Sequence, residues 1–118
     1  MAKTPDQTTP APEREMLKGH LDPLLLAIIA DEPAHGYTVI ERLRLKSAGE
    51  FSLPEGTVYP ALHRLESAGF ISSRWEQVQG RKRRVYSISD RGLKALADGR
   101  ERWKEFSRGV AAVLGGTA

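Results

Sequence analysis

Four consecutive basic residues, Arg81, Lys82, Arg83 and Arg84, follow directly after Gly80. Their guanidinium and ammonium groups can donate charge-assisted hydrogen bonds to phosphate oxygens. Because the run has no acidic neighbour, its charges repel one another, and a bound polyanion relieves that repulsion. Charged turns also improve solubility and discourage edge pairing, which is the plainer interpretation of such a run. We place the run at the turn of a β-hairpin and predict that all four residues contact DNA.

The segment just before this run has helical spacing and a polar outer side. Val58, Ala61, Leu62 and Leu65 recur at intervals that put them on the inward side of one helix. The residues left facing outward can meet phosphates or base edges in a major groove. Taken alone they would be ordinary solvated residues, but the basic run beside them favours DNA contact. The predicted DNA-facing residues of this helix are Thr57, Tyr59, Pro60, His63 and Arg64.

Three helices, a hairpin and a last helix are needed to position these residues. We expect Asp22-Pro23 either to kink or to restart the first helix, and Pro60 to distort the third one. The order of elements is that of a winged helix-turn-helix domain, so the fold class is mainly α with a small β-hairpin. The predicted elements are a first helix that starts near Met16 and ends at Glu32-Pro33, a second from about His35 to Lys46, a third from near Ser52 to Gly69, strands Ile71 to Val78 and Arg84 to Ser89 joined across Gln79-Gly80, and a last helix from Ser89 or Asp90 to Leu114.

The last helix carries more apolar surface than a three-helix core can bury. Leu96, Trp103 and Val110 recur every seven residues, as do Phe106 and Val113. Glycines within this helix lower its intrinsic stability, and we expect contacts with a partner chain to offset that loss. The predicted dimer interface consists of Leu21, Leu96, Trp103, Phe106, Val110, Val113 and Leu114. We therefore divide the chain into a flexible arm (1–12), a winged helix-turn-helix domain (13–89), and a dimerisation helix with its tail (90–118).

Composition fits one globular domain that meets a polyanion through one side. The chain has 118 residues, of which 40% are hydrophobic and 28% charged. Residues 70–94 hold seven basic and two acidic side chains, a local charge of +5 within a total of +3, so the remainder sums to −2. No signal peptide, membrane span or cysteine is found, and a cytoplasmic protein is expected.

Catalytic and metal-binding motifs are not found in the sequence. The histidines, His20, His35 and His63, are too scattered for a metal site, and a lone helical histidine is usually structural or solvated. Nucleotide-binding loops and nucleophile motifs are also missing. We therefore expect no enzyme activity, no cofactor and no metal.

Several segments together resemble PadR-type transcriptional regulators. The first two segments are Leu24 to Ala30 and His35-Gly36-Tyr37. The third begins with Gly56 to Pro60 and ends with Leu65 to Gly69, and the fourth runs from Gly80-Arg81 to Tyr86 and continues to Ser89 to Gly92. The resemblance covers about residues 14–114, and the short C-terminal part is similar to the branch with a single dimerisation helix. The resemblance implies a homodimer that represses a promoter by binding double-stranded DNA at an inverted repeat. It also implies that a small molecule releases the protein from this DNA.

The same resemblance implies a ligand site on the last helix. Some members of this branch bind flat aromatic compounds between subunits, using a tryptophan on that helix, and Trp103 lies at a similar place. Met16, Leu17 and Phe106 are plausible neighbours of such a ligand. The alternative is that Trp103 belongs only to the dimer core, as aromatic residues in such seams usually do.

Two other functions remain open from the sequence. The winged helix could bind an acidic protein partner instead of DNA. It could also be a small-molecule-binding protein without operator binding. Salt-sensitive binding to DNA fragments separates both from a transcriptional regulator.

Overall fold

The computed structural model describes Leu17 and residues 19–115, which form four helices and a three-stranded antiparallel sheet with strand order β1-β3-β2. This arrangement confirms the predicted fold class. The elements are α1 (Leu21–Asp31), β1 (Ala34–His35), α2 (Gly36–Lys46), α3 (Glu55–Ser67), β2 (Ile71–Val78), β3 (Arg81–Ile88) and α4 (Asp90–Leu114). The predicted arm over residues 1–12 lies outside the described residues.

Helix α1 begins at Leu21, so the Asp22-Pro23 pair lies in its first turn. A proline there costs no hydrogen bond, because the first backbone N–H groups of a helix have no acceptor within it. The described helix therefore begins at this point, and the predicted start near Met16 lies outside the described residues. Buried leucine and isoleucine side chains, Leu25, Leu26, Ile28 and Ile29, then fix the helix in the core.

Helix α3 begins at Glu55 with Pro54 as its N-cap, three residues later than the predicted start near Ser52. Pro54 has an extended ψ of 160°, which keeps it just outside the helix. The helix continues through Pro60 to Ser67 without a break. The predicted stop is confirmed, because Gly69 has a φ of +84° and the Phe70 N–H donates to the Leu65 carbonyl at 3.0 Å.

The hairpin has a shorter turn than predicted. Only Gln79 and Gly80 connect the strands, with φ values of 52° and 78°, and β3 already starts at Arg81. A two-residue turn with both φ values positive matches the twist of the strands, so pairing resumes at once. The placement of Arg81 to Arg84 in the turn was therefore wrong, because all four residues are paired with β2. Strand β1 was not predicted, since two residues carry no periodicity.

Helix α4 runs for 25 residues, roughly 37 Å at 1.5 Å per residue, and Ser89 caps it by accepting the Gly92 N–H at 3.0 Å. Its first half packs on the rest of the domain. Leu96 is only 3% exposed, and a Cβ at Gly99 would lie 2.8 Å from Cγ of Pro23. The glycine at 99 is thus explained by its close packing against Pro23 within this chain.

Candidate nucleic-acid interface

Helix α3 has the inward and outward sides that its sequence predicts. Val58, Ala61, Leu62 and Leu65 are buried, and this prediction is confirmed. Among the predicted DNA-facing residues, the exposed ones are Pro60, His63 and Arg64, and the half-buried ones are Thr57 and Tyr59. The outer strip that a groove could meet is therefore centred on Pro60 and His63, with Gly56 and Ser67 also exposed.

Tyr59 packs against the start of α2 instead of standing free on the outer side of α3. A Cβ built on Gly36 would lie 2.4 Å from Cε1 and 2.8 Å from the hydroxyl oxygen of Tyr59. Burial raises the pKa of the Tyr59 phenol, the Glu55 carboxylate raises it further, and Arg83 lowers it. Tyr59 is thus a protonated hydrogen-bond donor whose ring joins α3 to α2. Sequence reasoning missed this contact because it depends on the distance between two helices.

This packing makes the size of residue 36 critical. We expect Gly36→Ala to lower the free energy of unfolding by about 1–3 kcal/mol, because the new methyl group displaces the Tyr59 ring. In a Tyr59→Ala background the same substitution should be neutral or slightly stabilising, since alanine reduces the entropy of the unfolded chain. Urea unfolding of the wild type, the two single variants and the double variant measures both effects.

Gly56→Ala is the matched control for that cycle. A Cβ at Gly56 meets nothing within 4 Å, and this glycine also lies in the first turn of a helix. We expect Gly56→Ala to stabilise the protein slightly, by up to ~1 kcal/mol. An equal loss for Gly36→Ala with and without the Tyr59 ring would contradict the assigned contact.

Arg64 forms an ion pair with Asp22 in the first turn of α1. Both side chains are largely exposed, so the pair adds little to stability. Its effect is to hold Arg64 on the flank of α3 that faces α1. The opposite flank faces the hairpin, because Glu66, about 200° around the helix from Arg64, accepts a hydrogen bond from Ser73 of β2 at 2.6 Å.

The four basic residues of β3 are divided between the two sides of the hairpin. Successive residues of a strand point to opposite sides, so Arg81 and Arg83 share one side while Lys82 and Arg84 share the other. Arg84 is held by its neighbours, with its Nε donating to Ser73 Oγ at 2.9 Å. Within the described ranges, Arg81, Lys82 and Arg83 have no ion-pair partner. The structure therefore leaves three cations without an ion-pair partner on the outer part of the hairpin.

The second half of α4 carries an exposed apolar stripe. Leu96, predicted at a dimer interface, lies instead in the core of its own chain, and Leu21 is half-buried against the same core. Trp103 and Phe106 are 52% and 56% exposed. The other exposed members of the predicted interface are Val110, Val113 and Leu114.

His20 joins this stripe, which the sequence did not indicate. Its ring centroid lies 5.5 Å from that of Trp103 and 5.7 Å from that of Phe106, and the two latter rings are 6.1 Å apart. Leu17, predicted near a ligand, is buried in the core, and Met16 lies outside the described residues. An open cavity of about 520 Å³ adjoins the aromatic cluster and is lined by Gly19, His20, Pro23, Gly99, Arg102, Glu105 and Phe106.

The described part of the chain holds neither a cluster of metal-binding side chains nor a helix suited to a membrane. No group of three or more histidine, aspartate or glutamate side chains among Leu17 and residues 19–115 could hold a metal ion. None of the four helices in that range has the length and apolar character to cross a bilayer.

Known proteins are similar to this chain in both sequence and fold. The sequence profile of the transcriptional regulator PadR-like family matches residues 25–98, which include α3, the hairpin and the start of α4. The transcriptional regulator Rv3488 of Mycobacterium tuberculosis is 39% identical over 87 residues, covering 74% of this chain and 76% of that protein. A PadR-like transcriptional regulator from Bacillus cereus has a solved structure that is 32% identical with a TM-score of 0.75, and the match covers 87% of this chain and 99% of that one. A PadR family transcriptional regulator from Eggerthella lenta gives 30% identity and a TM-score of 0.76, covering 86% and 88% of the two chains.

Proposed function

Because the chain belongs to the PadR-like family of transcriptional regulators, we propose that it is a homodimeric repressor, which binds an inverted-repeat operator and is released by a small aromatic molecule. In this proposal α3 enters the major groove and the hairpin holds the adjacent backbone. A repressor of this kind acts on the chromosome, in the cytoplasm.

The observation that most supports DNA binding is the set of cations on the hairpin that have no ion-pair partner among the described residues. Arg81, Lys82 and Arg83 are paired with β2 through their backbone, so their side chains project from a rigid strand. The hairpin adjoins α3 through β2, because Ser73 donates a hydrogen bond to Glu66 of α3 at 2.6 Å. Phosphate contacts from such a strand supply affinity, and α3 supplies the choice of sequence.

The apolar stripe of α4, which is exposed only in the second half of the helix, supports a dimer. The first half of the stripe is buried against the domain. Its continuation stays exposed, although His20 covers part of the first two side chains; it consists of Trp103, Phe106, Val110, Val113 and Leu114. A second copy of the chain has an identical stripe, and two such helices can pack together so that both apolar stripes are buried. The dimer would then hold two recognition helices about 34 Å apart, or a multiple of that distance.

Selection of bound duplexes from a random-sequence pool tests this function. We expect the purified protein to enrich an inverted repeat, with binding that weakens steeply as salt rises. Enrichment of no sequence would contradict sequence-specific recognition. Binding to an acidic protein in place of DNA would support the protein-interaction alternative.

The ligand part of the proposal rests on the cavity lined by His20 and Phe106. Trp103 does not line this cavity, but its ring centroid lies 5.5 Å from that of His20 and 6.1 Å from that of Phe106. The chain has two tryptophans, so Trp75→Phe leaves Trp103 as the only indole fluorophore. We expect planar aromatic compounds to quench Trp103 emission and to weaken operator binding. Trp103→Ala should lower the affinity for such a compound about tenfold, through the lost ring stacking.

The complementary variant is the control for this measurement. Trp103→Phe leaves Trp75, which lies on the hairpin, as the only indole. The same compounds should leave its emission unchanged. Quenching of both tryptophans alike would indicate nonspecific association, and quenching without any change in operator affinity would remove the effector role.

A further inference from the structure

Trp75 is a large apolar side chain on the hairpin that the proposed function does not use. It is 60% exposed, although an indole of this size is usually covered in a stable single domain. We propose that Trp75 and Arg84 form a preassembled pair that binds the sugar-phosphate backbone of duplex DNA, the indole against a deoxyribose and the guanidinium on a phosphate. This inference rests on the proposed function, because it requires DNA beside the hairpin.

The strand register puts Trp75 on the side of the hairpin that is continuous with the core. Trp75 is directly opposite Arg84, and Ser73 is directly opposite Tyr86, so all four share one side. Tyr86 is fully buried at the base of that side. Trp75 lies two residues farther along β2 than Ser73, about 6.8 Å toward the tip. The indole therefore begins where the core ends and the exposed hairpin starts.

Hydrogen bonds connect this pair to the recognition helix. Arg84 Nε donates to Ser73 Oγ at 2.9 Å, and Ser73 Oγ donates to Glu66 Oε2 of α3 at 2.6 Å. The centre of the Arg84 guanidinium also lies 5.0 Å from the centroid of the Trp75 ring. The Trp75 ring and the Ser73 hydroxyl group, both on β2, thus hold Arg84 in place. This position is on the side of the hairpin that meets α3. Its orientation needs little further ordering when DNA arrives.

The chemistry of the pair fits a phosphate better than a base or an apolar partner. A guanidinium that stacks on an indole keeps its edge N–H donors available, and Arg84 uses only Nε for Ser73. Lys82, the next residue outward on the same side, adds a second cation opposite the uncharged Gln77. An exposed aromatic ring directly opposite one cation and diagonal to a second matches the alternation of sugar and phosphate along a DNA strand.

The test uses the Trp103→Phe protein, in which Trp75 is the only tryptophan. It is titrated with a selected inverted-repeat duplex and with an unselected duplex of equal length, while labelled-DNA anisotropy reports binding independently. We expect Trp75 emission to change with both duplexes and to return to its free value at high salt. In the full chain, Trp75→Ala should weaken binding to both duplexes by about the same factor, on the order of tenfold.

Matched variants separate stacking from folding. Trp75→Phe retains a ring for Arg84 and should lose less affinity than Trp75→Ala. Arg84→Lys retains the charge but not the planar fork, and should lose about as much as Trp75→Ala without adding to it in the double variant. Because Trp75 is exposed, its variants should unfold at nearly the wild-type temperature.

Several outcomes would overturn the inference. If anisotropy reports binding while Trp75 emission and the affinity of Trp75→Ala stay unchanged, the pair has no part in DNA binding and the proposed function stands. A loss confined to the selected duplex would assign Trp75 to base recognition. An emission change with polyglutamate but with neither duplex would assign the pair to an acidic protein partner. Failure of the wild-type protein to bind any duplex would overturn the inference together with the proposed function.

Discussion

The triple substitution of Arg81, Lys82 and Arg83 by alanine is expected to lower affinity for duplex DNA by on the order of 100-fold at low salt. These side chains are cations of the hairpin that have no ion-pair partner among the described residues, and each phosphate contact releases counterions when it forms. If each residue contacts one phosphate in both protomers, the negative slope of log K against log salt should become shallower by about 5. Anisotropy titrations of a selected and an unselected duplex, each over a range of salt, measure both quantities.

The control is an equal loss of charge on α4. Arg100, Lys104 and Arg108 are exposed, and their replacement by alanine also removes three positive charges from each chain. We expect that variant to weaken binding only a few-fold and to leave the salt slope nearly unchanged. Equal effects of the two triple variants would show that the hairpin acts only through net charge.

The second large effect is expected from Val110→Glu. If the exposed stripe of α4 forms the dimer interface, each dimer buries two unpaired carboxylates, one from each chain. We expect the dimer dissociation constant to rise by at least about 100-fold, as measured by sedimentation equilibrium. Operator affinity should then fall by on the order of 10²–10⁴, because one protomer no longer raises the effective concentration of the other at the second half-site.

Ala112→Glu is the control for this substitution. Ala112 is two residues away and about 200° around the same helix, on the side opposite the stripe, and it is exposed. The same new charge at this position should leave the dimer and its operator affinity within a few-fold of the wild type. Dissociation by both substitutions, or by neither, would contradict an interface along the stripe.

The order of elements was predictable because each element has a local cause in the sequence. Apolar spacing defined the inward side of α3, and Gly69 with Phe70 specified its end. The family assignment confirms the sequence prediction of a PadR-type regulator rather than an enzyme. Local signals of this kind are strong because spacing and capping act within one or two turns of chain.

The hairpin turn was predicted at Gln79-Gly80, where the structure has it, but its extension over Arg81 to Arg84 was wrong because turn length depends on local backbone conformation. Gln79 adopts a positive φ, which is uncommon for any residue but glycine. With Gly80 beside it, a two-residue turn forms and the basic run joins the strand. The longer turn was predicted because the basic run was expected where the backbone is least constrained.

The partners of the site residues could not be predicted from spacing. Tyr59 against Gly36, Arg64 with Asp22, and His20 with Trp103 each join residues at least 23 positions apart in the chain. Helical periodicity indicates which side of a helix a residue occupies, but it does not indicate which neighbour that side meets. The candidate site was therefore predicted as a set of residues, and its internal contacts come from the fold.

A hydroxyl-radical footprint on the selected duplex tests the central claim most directly. A homodimer that places α3 in the major groove and the basic hairpin on the adjacent backbone predicts two protected regions related by twofold symmetry. Their centres should be separated by one or more turns of DNA, about 10 base pairs each, and protection should extend to the flanking backbone. In the triple variant of Arg81, Lys82 and Arg83 the flanking protection should disappear while the two central regions remain at saturating protein. A single protected region without twofold symmetry, or flanking protection that survives in this variant, would contradict the account.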